Sequence, residues 1–342
     1  MKPLRNLNFA LSNRCNAKCV WCPVSRGTKL NFDMDTDLVF KIIDEVSDPE
    51  FPYEIKNIHM SENGEALYHK DFVEILRYIK KKLPNTEVDM LSNFGLMSNK
   101  IAKILIDERL FYSIQVNIDG HDEDSYRAVK GIPLKSVMKN VKHFLELRRD
   151  HYPEMKFGIN VMTAFEYAFV VHGVFGKNPM QVPKGSAVPV STYDMVYDML
   201  VDELGQDLVD TLGMIRHSQA GLWAERAKFK SGEFKLEDQN LKCPLIKRVQ
   251  EEMFIAPNGD YYACCLDDNN DMVLGNLKDN SVLDIWHSQE RINFVNNLKM
   301  QNFSKIGYPC NTVGACQTIA INPNEIDNLY QQIKDEKEIS FE

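Results

Sequence analysis

The most constraining feature of the sequence is an alternation of strand-like and helix-like segments through the first 220 residues. Short runs of branched and aromatic residues alternate with segments of helical periodicity, and the connections between them are short. Such an alternation predicts right-handed crossovers and a parallel sheet. The predicted strands are 6–12, 55–61, 86–91, 112–119, 155–163 and 212–217. The predicted helices are 35–46, 70–83, 98–107, 134–149 and 192–204. We therefore predict an α/β fold, a partial (β/α)6 TIM-like barrel.

The predicted strands also alternate polar and apolar side chains. In the fourth strand, Gln115 and Asn117 share one face while Val116 lies on the other, because successive side chains point to opposite faces. His59 and Asn160 take the polar face of the second and fifth strands. One interpretation is an antiparallel sheet with a wet face, which the intervening helices disfavour. We favour a barrel lumen lined for a polar ligand.

The loops that follow the first four strands carry glycines, amides, acids and cysteines. In barrels of this kind, the loops at the carboxyl ends of the strands build the functional site. The four loop segments are 15–22, 63–65, 92–95 and 119–120. They are expected to cluster at one rim of the barrel.

The first of these loops contains Cys15, Cys19 and Cys22 in the spacing C-x3-C-x2-C. Thiolates are soft ligands for iron–sulfur clusters and zinc. Three thiolates cannot complete a four-ligand site, so one position stays open, as catalytic metal sites require. A zinc site completed by His59 or a distant cysteine is the alternative that spacing leaves open.

This cysteine spacing, with an aromatic residue before the last cysteine, resembles the signature of radical S-adenosylmethionine (SAM) enzymes. The resemblance implies that Cys15, Cys19 and Cys22 hold a four-iron, four-sulfur cluster whose open iron is chelated by SAM. It also implies that an electron from the cluster cleaves SAM to methionine and a 5′-deoxyadenosyl radical, which takes a hydrogen atom from the substrate.

The resemblance covers the first loop, the loops after strands two to four and the segment that follows the fourth loop, and it implies residues there that bind SAM. They are Trp21, Asn63, Gly64, Glu65, Ser92, Asn93, Asn117, Asp119 and Arg127. Trp21 is implied near the adenine, Asn117 at a ribose hydroxyl and Arg127 at the methionine carboxylate. For Trp21 simple packing is the alternative, and for Arg127 an exposed helix position. Asn63 and Asn117 stand where the family pattern has glycine and serine, which weakens the match there.

The last third of the chain carries a second group of cysteines. A hairpin turn is predicted at Asn258-Gly259, between Cys243 and Cys264. This arrangement is similar to the SPASM extension of radical SAM enzymes, but with fewer cysteines, as in its smaller twitch variant. The resemblance implies one auxiliary four-iron, four-sulfur cluster. Its implied ligands are Cys243, Cys264, Cys310 and Cys316.

Cys265 is left over from this ligand set. It is a ligand in place of Cys264, a buried small hydrophobic residue, or a thiol that donates a hydrogen atom during catalysis. The expected domains are a radical SAM partial barrel at residues 1–220 and the SPASM/twitch-like cluster domain at residues 221–342.

The composition of the chain argues against some classes of partner. A net charge of −9 argues against a nucleic-acid binder, and no apolar run is long enough to cross a membrane. No signal peptide is evident, so a cytoplasmic protein is expected. The first 31 residues contain bases but no acid. This segment suits an acidic electron donor, such as a flavodoxin or ferredoxin, or an anionic substrate, and a chance local bias is the alternative.

The expected function is hydrogen-atom abstraction from a small polar, sugar-like substrate, followed by a two-electron oxidation. The barrel is predicted to begin almost at Met1, and the expectation is therefore that no peptide-recognition domain precedes it. Within the same class, an epimerase and a peptide or protein maturase are the alternatives. A non-catalytic iron–sulfur or zinc protein is the alternative from another class.

Overall fold

The computed structural model describes most of the chain. The described residues are 2–19, 22, 24, 32–60, 63–162, 191, 193–218, 243, 245–265, 267, 272–307 and 310. Trp21 and Cys316, to which roles are assigned above, lie outside the described residues.

The six predicted strands form parallel neighbours in one sheet. They are β1 (Asn6–Phe9), β2 (Asn57–His59), β3 (Glu87–Ser92), β4 (Ser113–Asn117), β5 (Lys156–Met162) and β6 (Met214–Ser218). Each pairs in parallel with the next from β1 through β6. Three further strands, β7 (Glu252–Ile255), β8 (Asp260–Tyr262) and β9 (Val273–Asn276), extend the sheet beyond β1. The strand order is β6-β5-β4-β3-β2-β1-β7-β8-β9, which leaves the barrel partial.

The helices between the strands bury an apolar face. They are α1 (Thr36–Ser47), α2 (Phe72–Lys82), α3 (Asn99–Asp107), α4 (Glu123–Lys130), α5 (Leu134–His151), α6 (Tyr193–Leu204) and α7 (Gln206–Val209). Three of them, α1, α3 and α4, begin at a side-chain cap. Asp35 caps α1 and Ser98 caps α3, because each side chain accepts a hydrogen bond from the first turn. No helix within the described ranges combines the length and apolarity needed to cross a bilayer.

The C-terminal segments attach to the first strand of the chain. β7 pairs in parallel with β1, and β7 and β8 form the predicted hairpin around Asn258-Gly259. The helices of this region are α8 (Ile246–Glu251), α9 (Val282–Trp286), α10 (Gln289–Lys299) and α11 (Phe303–Ile306). The sheet is therefore continuous from the barrel into the cysteine-rich region.

The hydrophobic core lies between the sheet and the helices. On β4, Ile114 and Val116 are fully buried, whereas Ser113, Gln115 and Asn117 on the other face are only partly buried. The apolar side chains of a strand therefore pack under the helices, and its polar side chains line the opposite face.

Candidate functional site

A hydrogen-bonded network at the rim joins the loops that follow β1, β2 and β3. Glu65, which is buried, accepts bonds from the Ser92 Oγ at 2.9 Å and the Asn93 backbone N–H at 3.0 Å. The Asn93 side chain donates to the Cys15 sulfur at 3.5 Å and to the Asn16 side-chain oxygen at 3.0 Å. Burial raises the pKa of Glu65, and the bonds from Asn93 and Ser92 oppose that rise. Four of the predicted site residues thus share one network.

Gly64 lies where the loops after β1 and β2 touch. Its φ is +146°, and a Cβ atom there would lie 1.8 Å from the Ser12 carbonyl oxygen. Next to it, the Glu65 N–H donates to the Arg14 carbonyl at 2.9 Å. Only glycine fits this contact, because both its conformation and the space exclude a side chain. Asn63 lies beside it in the same turn and is partly buried.

The three N-terminal cysteines are all partly buried in the loop after β1. The Cys22 N–H donates to the Cys19 carbonyl at 3.0 Å, a turn that keeps these two residues close. Burial raises the pKa of Cys15 to about 12, with a further rise from the nearby Glu65 carboxylate. A bare thiolate is disfavoured here, so a bound cation is needed to stabilise the deprotonated sulfur.

Lys130, at the end of α4, is a site residue that the sequence analysis missed. Its ammonium is buried, lies 2.8 Å from the buried Asp119 carboxylate, and is close enough to the Cys19 thiol to affect its pKa. Burial alone would lower the pKa of Lys130, but attraction to Asp119 and Cys19 raises it well above normal. Tyr126, Val129 and Lys130 have the i, i+3, i+4 spacing of a buried helix face, and this signal could have revealed Lys130.

Two other residues assigned to SAM binding are Arg127, on α4, and Asn117, at the end of β4. Arg127 is on the exposed side of α4, with 56% of its side chain accessible, and it donates to Glu123 at 2.5 Å. The Asn117 Oδ1 is buried and accepts no hydrogen bond from the described residues. An orphaned buried acceptor is costly, so Asn117 is suited to a ligand that donates a hydrogen bond.

A polar face runs across the sheet below the rim. Asn8, His59 and Asp89 are register neighbours on β1, β2 and β3. The His59 Nδ1 is hydrogen-bonded to Asp89, which also accepts from the Asn57 Nδ2 at 2.7 Å. About a quarter of each of the His59 and Asp89 side chains is accessible. This pair is therefore placed to meet a ligand in the lumen.

The two adjacent cysteines after β8 face different surroundings. Cys264, like Cys243 and Cys310, packs against the main core, whereas Cys265 packs against Phe254 and its neighbours in a small separate cluster. Phe254 is the register partner of Asn8, so this small cluster lies on the polar face of the sheet. The Arg248 Nη1 donates to the Cys265 sulfur at 3.2 Å.

The described residues suit iron–sulfur clusters better than a single metal ion. Among them, no three His, Cys, Asp or Glu side chains converge so as to hold one ion. A cluster instead takes each thiolate on a different iron atom, so its sulfurs need not meet at one point. The glycine contact at Gly64 and the orphaned Asn117 oxygen fit a cosubstrate that lies close to the backbone.

The chain was compared with protein families and with curated proteins. The Radical SAM superfamily matches residues 9–164, and the iron-sulfur cluster-binding SPASM domain matches residues 243–317. A curated relative is 25% identical over 306 residues, which are 84% of this chain and 82% of the relative. It is the tungsten-containing aldehyde ferredoxin oxidoreductase cofactor-modifying protein of Pyrococcus furiosus.

Solved structures share the fold at low sequence identity. Native anSMEcpe with bound AdoMet matches with a TM-score of 0.54 at 14% identity, over 98% of this chain and 98% of that chain. BtrN in complex with AdoMet and 2-DOIA gives 0.52 at 15% identity, over 91% and 94% of the two chains. Streptococcus suis SuiB bound to S-adenosylmethionine gives 0.52 at 16% identity, over 92% of this chain and 72% of that chain.

The two family matches together span well over half of the chain and coincide with the two cysteine groups. They imply four-iron, four-sulfur clusters as cofactors and SAM as the cosubstrate. This chain belongs to the radical SAM superfamily and carries a SPASM iron–sulfur domain.

Proposed function

We propose that this radical SAM enzyme oxidises a small polar substrate, in the size range of a sugar, by two electrons. The observation that carries the proposal is the polar face of the sheet. Asn8, His59 and Asp89 lie side by side on it, below the rim that bears Cys15. A hydroxylated molecule in the lumen would find hydrogen-bonding partners there and reach the rim with one of its C–H bonds.

The cluster ligands follow from the two cysteine groups. We assign Cys15, Cys19 and Cys22 to the SAM-binding cluster, and Cys243, Cys264 and Cys310 to the auxiliary cluster, with Cys316 as its fourth ligand. When bound, the first cluster supplies the electron that cleaves SAM to the 5′-deoxyadenosyl radical. The chain's own residues then position the substrate and hold its protons. Residues 1–220 and 221–342 are the proposed domains.

His59 is the proposed proton-holding residue of the lumen. With Nδ1 donating to Asp89, Nε2 is the basic nitrogen of the ring and suits a hydrogen bond from a substrate hydroxyl. Asp89 keeps the ring oriented, and Asn57 in turn orients the Asp89 carboxylate. A hydroxyl held this way can lose its proton to His59 as the attached carbon is oxidised.

SAM is expected to lie across the rim residues. Gly64 allows the cosubstrate to approach the backbone, Asn63, Glu65, Ser92 and Asn93 shape the loops around it, and Asn117 offers a buried acceptor. Asp119 acts with Lys130. Arg127 is assigned to the methionine carboxylate only if its side chain leaves Glu123, which it contacts on the exposed side of α4. Trp21 is proposed beside the adenine.

The relatives support a small-molecule substrate without deciding it. The Pyrococcus relative is named as a cofactor-modifying protein, and BtrN was crystallised with 2-DOIA. SuiB was also crystallised with a precursor peptide, at a TM-score of 0.53. A peptide maturase is therefore the second candidate.

An epimerase is a further candidate because Cys265 lies on the polar face of the sheet, where a hydrogen-atom donor would be needed. However, the Arg248 guanidinium donates to this sulfur, so Cys265 already has a hydrogen-bonding partner within the protein. Oxidation therefore remains the preferred reaction. An acidic flavodoxin or ferredoxin is the proposed electron donor, docking on the exposed Lys18 side of the cysteine loop.

Anaerobic reconstitution tests the proposal. We expect about eight irons per chain, and about four after Cys15, Cys19 and Cys22 are replaced by alanine. Dithionite should then drive 5′-deoxyadenosine formation in the wild type only. Sugars and short peptides are compared as substrates in deuterated water. A product two hydrogens lighter supports oxidation, whereas solvent deuterium at an inverted carbon, lost with Cys265→Ala, would show an epimerase. Stoichiometric zinc without SAM cleavage would exclude the enzyme.

A further inference from the structure

The pair formed by Lys130 and Asp119 is unusual because both charges are buried beside a proposed cluster ligand. The Lys130 side chain is 3% accessible, the Asp119 side chain 0%, and their charged atoms are 2.8 Å apart. A buried ion pair costs so much desolvation that apolar residues of similar size are often as stabilising. Stability alone therefore gives little reason to place this pair here.

The chain fastens Lys130 to the cysteine loop by its backbone as well. The Lys130 carbonyl accepts from the Lys18 N–H at 2.8 Å, directly before Cys19. Gly131 is the C-cap of helix α4. Its positive φ of 69° ends the helix, and it lies next to Lys18. Lys130 is thus held next to Cys19 from two directions, by its backbone contact with Lys18 and by the ion pair of its ammonium with Asp119.

We propose that Lys130, balanced by Asp119, is a positioning residue that sets the reduction potential of the cluster bound by Cys19. The potential of an iron–sulfur cluster depends on nearby charge and on hydrogen bonds to its sulfurs. A buried ammonium close to a ligand cysteine favours the reduced cluster, which carries one more negative charge. The Asp119 carboxylate acts in the opposite direction and limits that effect. The inference rests on the proposed assignment of Cys19 as a cluster ligand.

The two partners make opposite predictions, which is the basis of the test. Lys130→Met leaves the Asp119 charge without its partner and should lower the midpoint potential. Asp119→Asn leaves the Lys130 charge without its partner and should raise it. Lys130→Arg keeps both the charge and the donor, and should stay near the wild type. Each shift should reach about tenfold in the reduction equilibrium, equivalent to about 59 mV for one electron.

The measurement is a redox titration of the full, reconstituted chain, followed by electron paramagnetic resonance without SAM. The signal that changes when SAM is added afterwards identifies the N-terminal cluster. Lys103→Met removes an exposed lysine that pairs with Asp107 on α3, and serves as the matched control. Its potential should equal that of the wild type.

The proposal is supported if the midpoint potential is lowest in Lys130→Met, intermediate in the wild type and highest in Asp119→Asn. Equal potentials, shifts in the same direction, or weaker SAM binding at an unchanged potential overturn it. If Lys130→Met fails to take up iron, the comparison of Asp119→Asn with the wild type decides. A separate measurement tests whether Cys19 is a cluster ligand. If the iron content is unchanged after Cys15, Cys19 and Cys22 are replaced, that assignment is wrong.

Discussion

Asn8 of β1 donates from its Nδ2 to the Glu252 carboxylate of β7 at 3.3 Å, across a sequence separation of 244 residues. The same carboxylate accepts three bonds from the Arg248 guanidinium, at 2.8 to 3.1 Å. Arg248 in turn contacts Cys265. The strand that precedes the N-terminal cysteines is thus linked by side chains to a C-terminal cysteine.

Glu252→Gln should weaken this link. The amide keeps one oxygen acceptor but presents an N–H group to a guanidinium, so we expect a loss of about 1–3 kcal/mol in unfolding free energy. Urea unfolding measures it. Asp107→Asn, in an exposed pair with Lys103, is the control and should cost less than about 0.5 kcal/mol. Equal effects of the two substitutions would contradict the proposed link.

Gly64→Ala should disrupt the rim. A Cβ at this position would clash with the Ser12 carbonyl, so the loop must move and SAM should bind at least about tenfold more weakly. Gly205→Ala is matched, because Gly205 also has a positive φ but no described atom lies within 4 Å of where its Cβ would be. Equilibrium binding of SAM to the reconstituted chains measures the difference. Normal affinity in Gly64→Ala would show that this contact is dispensable.

Asp122 should make the stability of α4 depend on pH. Its side chain caps the helix by accepting from the Ser125 N–H, and the bonds from Ser125 lower its pKa. Because its pKa is lower in the folded protein, the ionised Asp122 stabilises the fold at pH values above the ordinary aspartate pKa. This contribution disappears as the pH falls through the pKa that Asp122 has in the folded protein. Asp122→Ala should cost about 1 kcal/mol at neutral pH.

Asp122→Ser is the control for this effect, since serine caps without titrating. It should keep most of the stability at neutral pH and lose the acid-dependent part. Thermal unfolding measured from neutral to acidic pH compares the three chains. An identical pH dependence in all of them would refute the role of Asp122.

Arg291 should be essential to the C-terminal region. It is buried, stacks on Trp286, and donates to the Tyr261 hydroxyl at 3.1 Å and to the Val249, Gln250 and Trp286 carbonyls. Arg291→Met leaves these acceptors without their donor, and we expect a loss of about 1–3 kcal/mol for each buried acceptor that stays unsatisfied. Arg291→Lys should recover only part, because lysine lacks the planar fork.

Iron content gives this prediction a second measurement. The C-terminal cluster should be lost first, leaving about four irons per chain. The exposed Arg149→Met is the control and should behave like the wild type. Full iron content and stability in Arg291→Met would show that the buried guanidinium is not needed.

His59→Gln should separate SAM cleavage from substrate oxidation. Since His59 lies on the sheet below the rim and pairs with Asp89, 5′-deoxyadenosine formation should continue, while product formation falls about a hundredfold. Product formation should fall less in Asp89→Asn, because this substitution removes only the partner that orients His59. The ratio of product to 5′-deoxyadenosine measures this. An unchanged ratio in both variants would exclude the proposed role of His59.

Local patterns account for what the sequence could predict. All six barrel strands and the five predicted helices are present, with ends shifted by up to three residues. The hairpin at Asn258-Gly259 is confirmed as well. These elements carry strong periodicity and turn residues, so each is specified by its own short segment.

What the sequence analysis missed depends on distant partners or weak signals. The parallel pairing of β7 with β1 joins residues far apart in the chain, and no local pattern marks it. Half of the eight residues of helix α4 are charged, so the spacing of its few apolar residues is a weak signal of its period. Lysine is rarely buried, so this spacing is only a weak sign that Lys130 is buried, and the buried Asp119 beside it supplies the physical reason.

The sheet order has a consequence for biosynthesis. β1 leaves the ribosome before its neighbours in the sheet, and one of these two neighbours, β7, ends only at Ile255. Until that neighbour emerges, the backbone groups along one side of β1 have no strand to pair with, and an unpaired edge invites wrong associations. The nascent chain is therefore vulnerable from the emergence of β1 until the emergence of β7, and helper proteins that protect such edges would act in that interval.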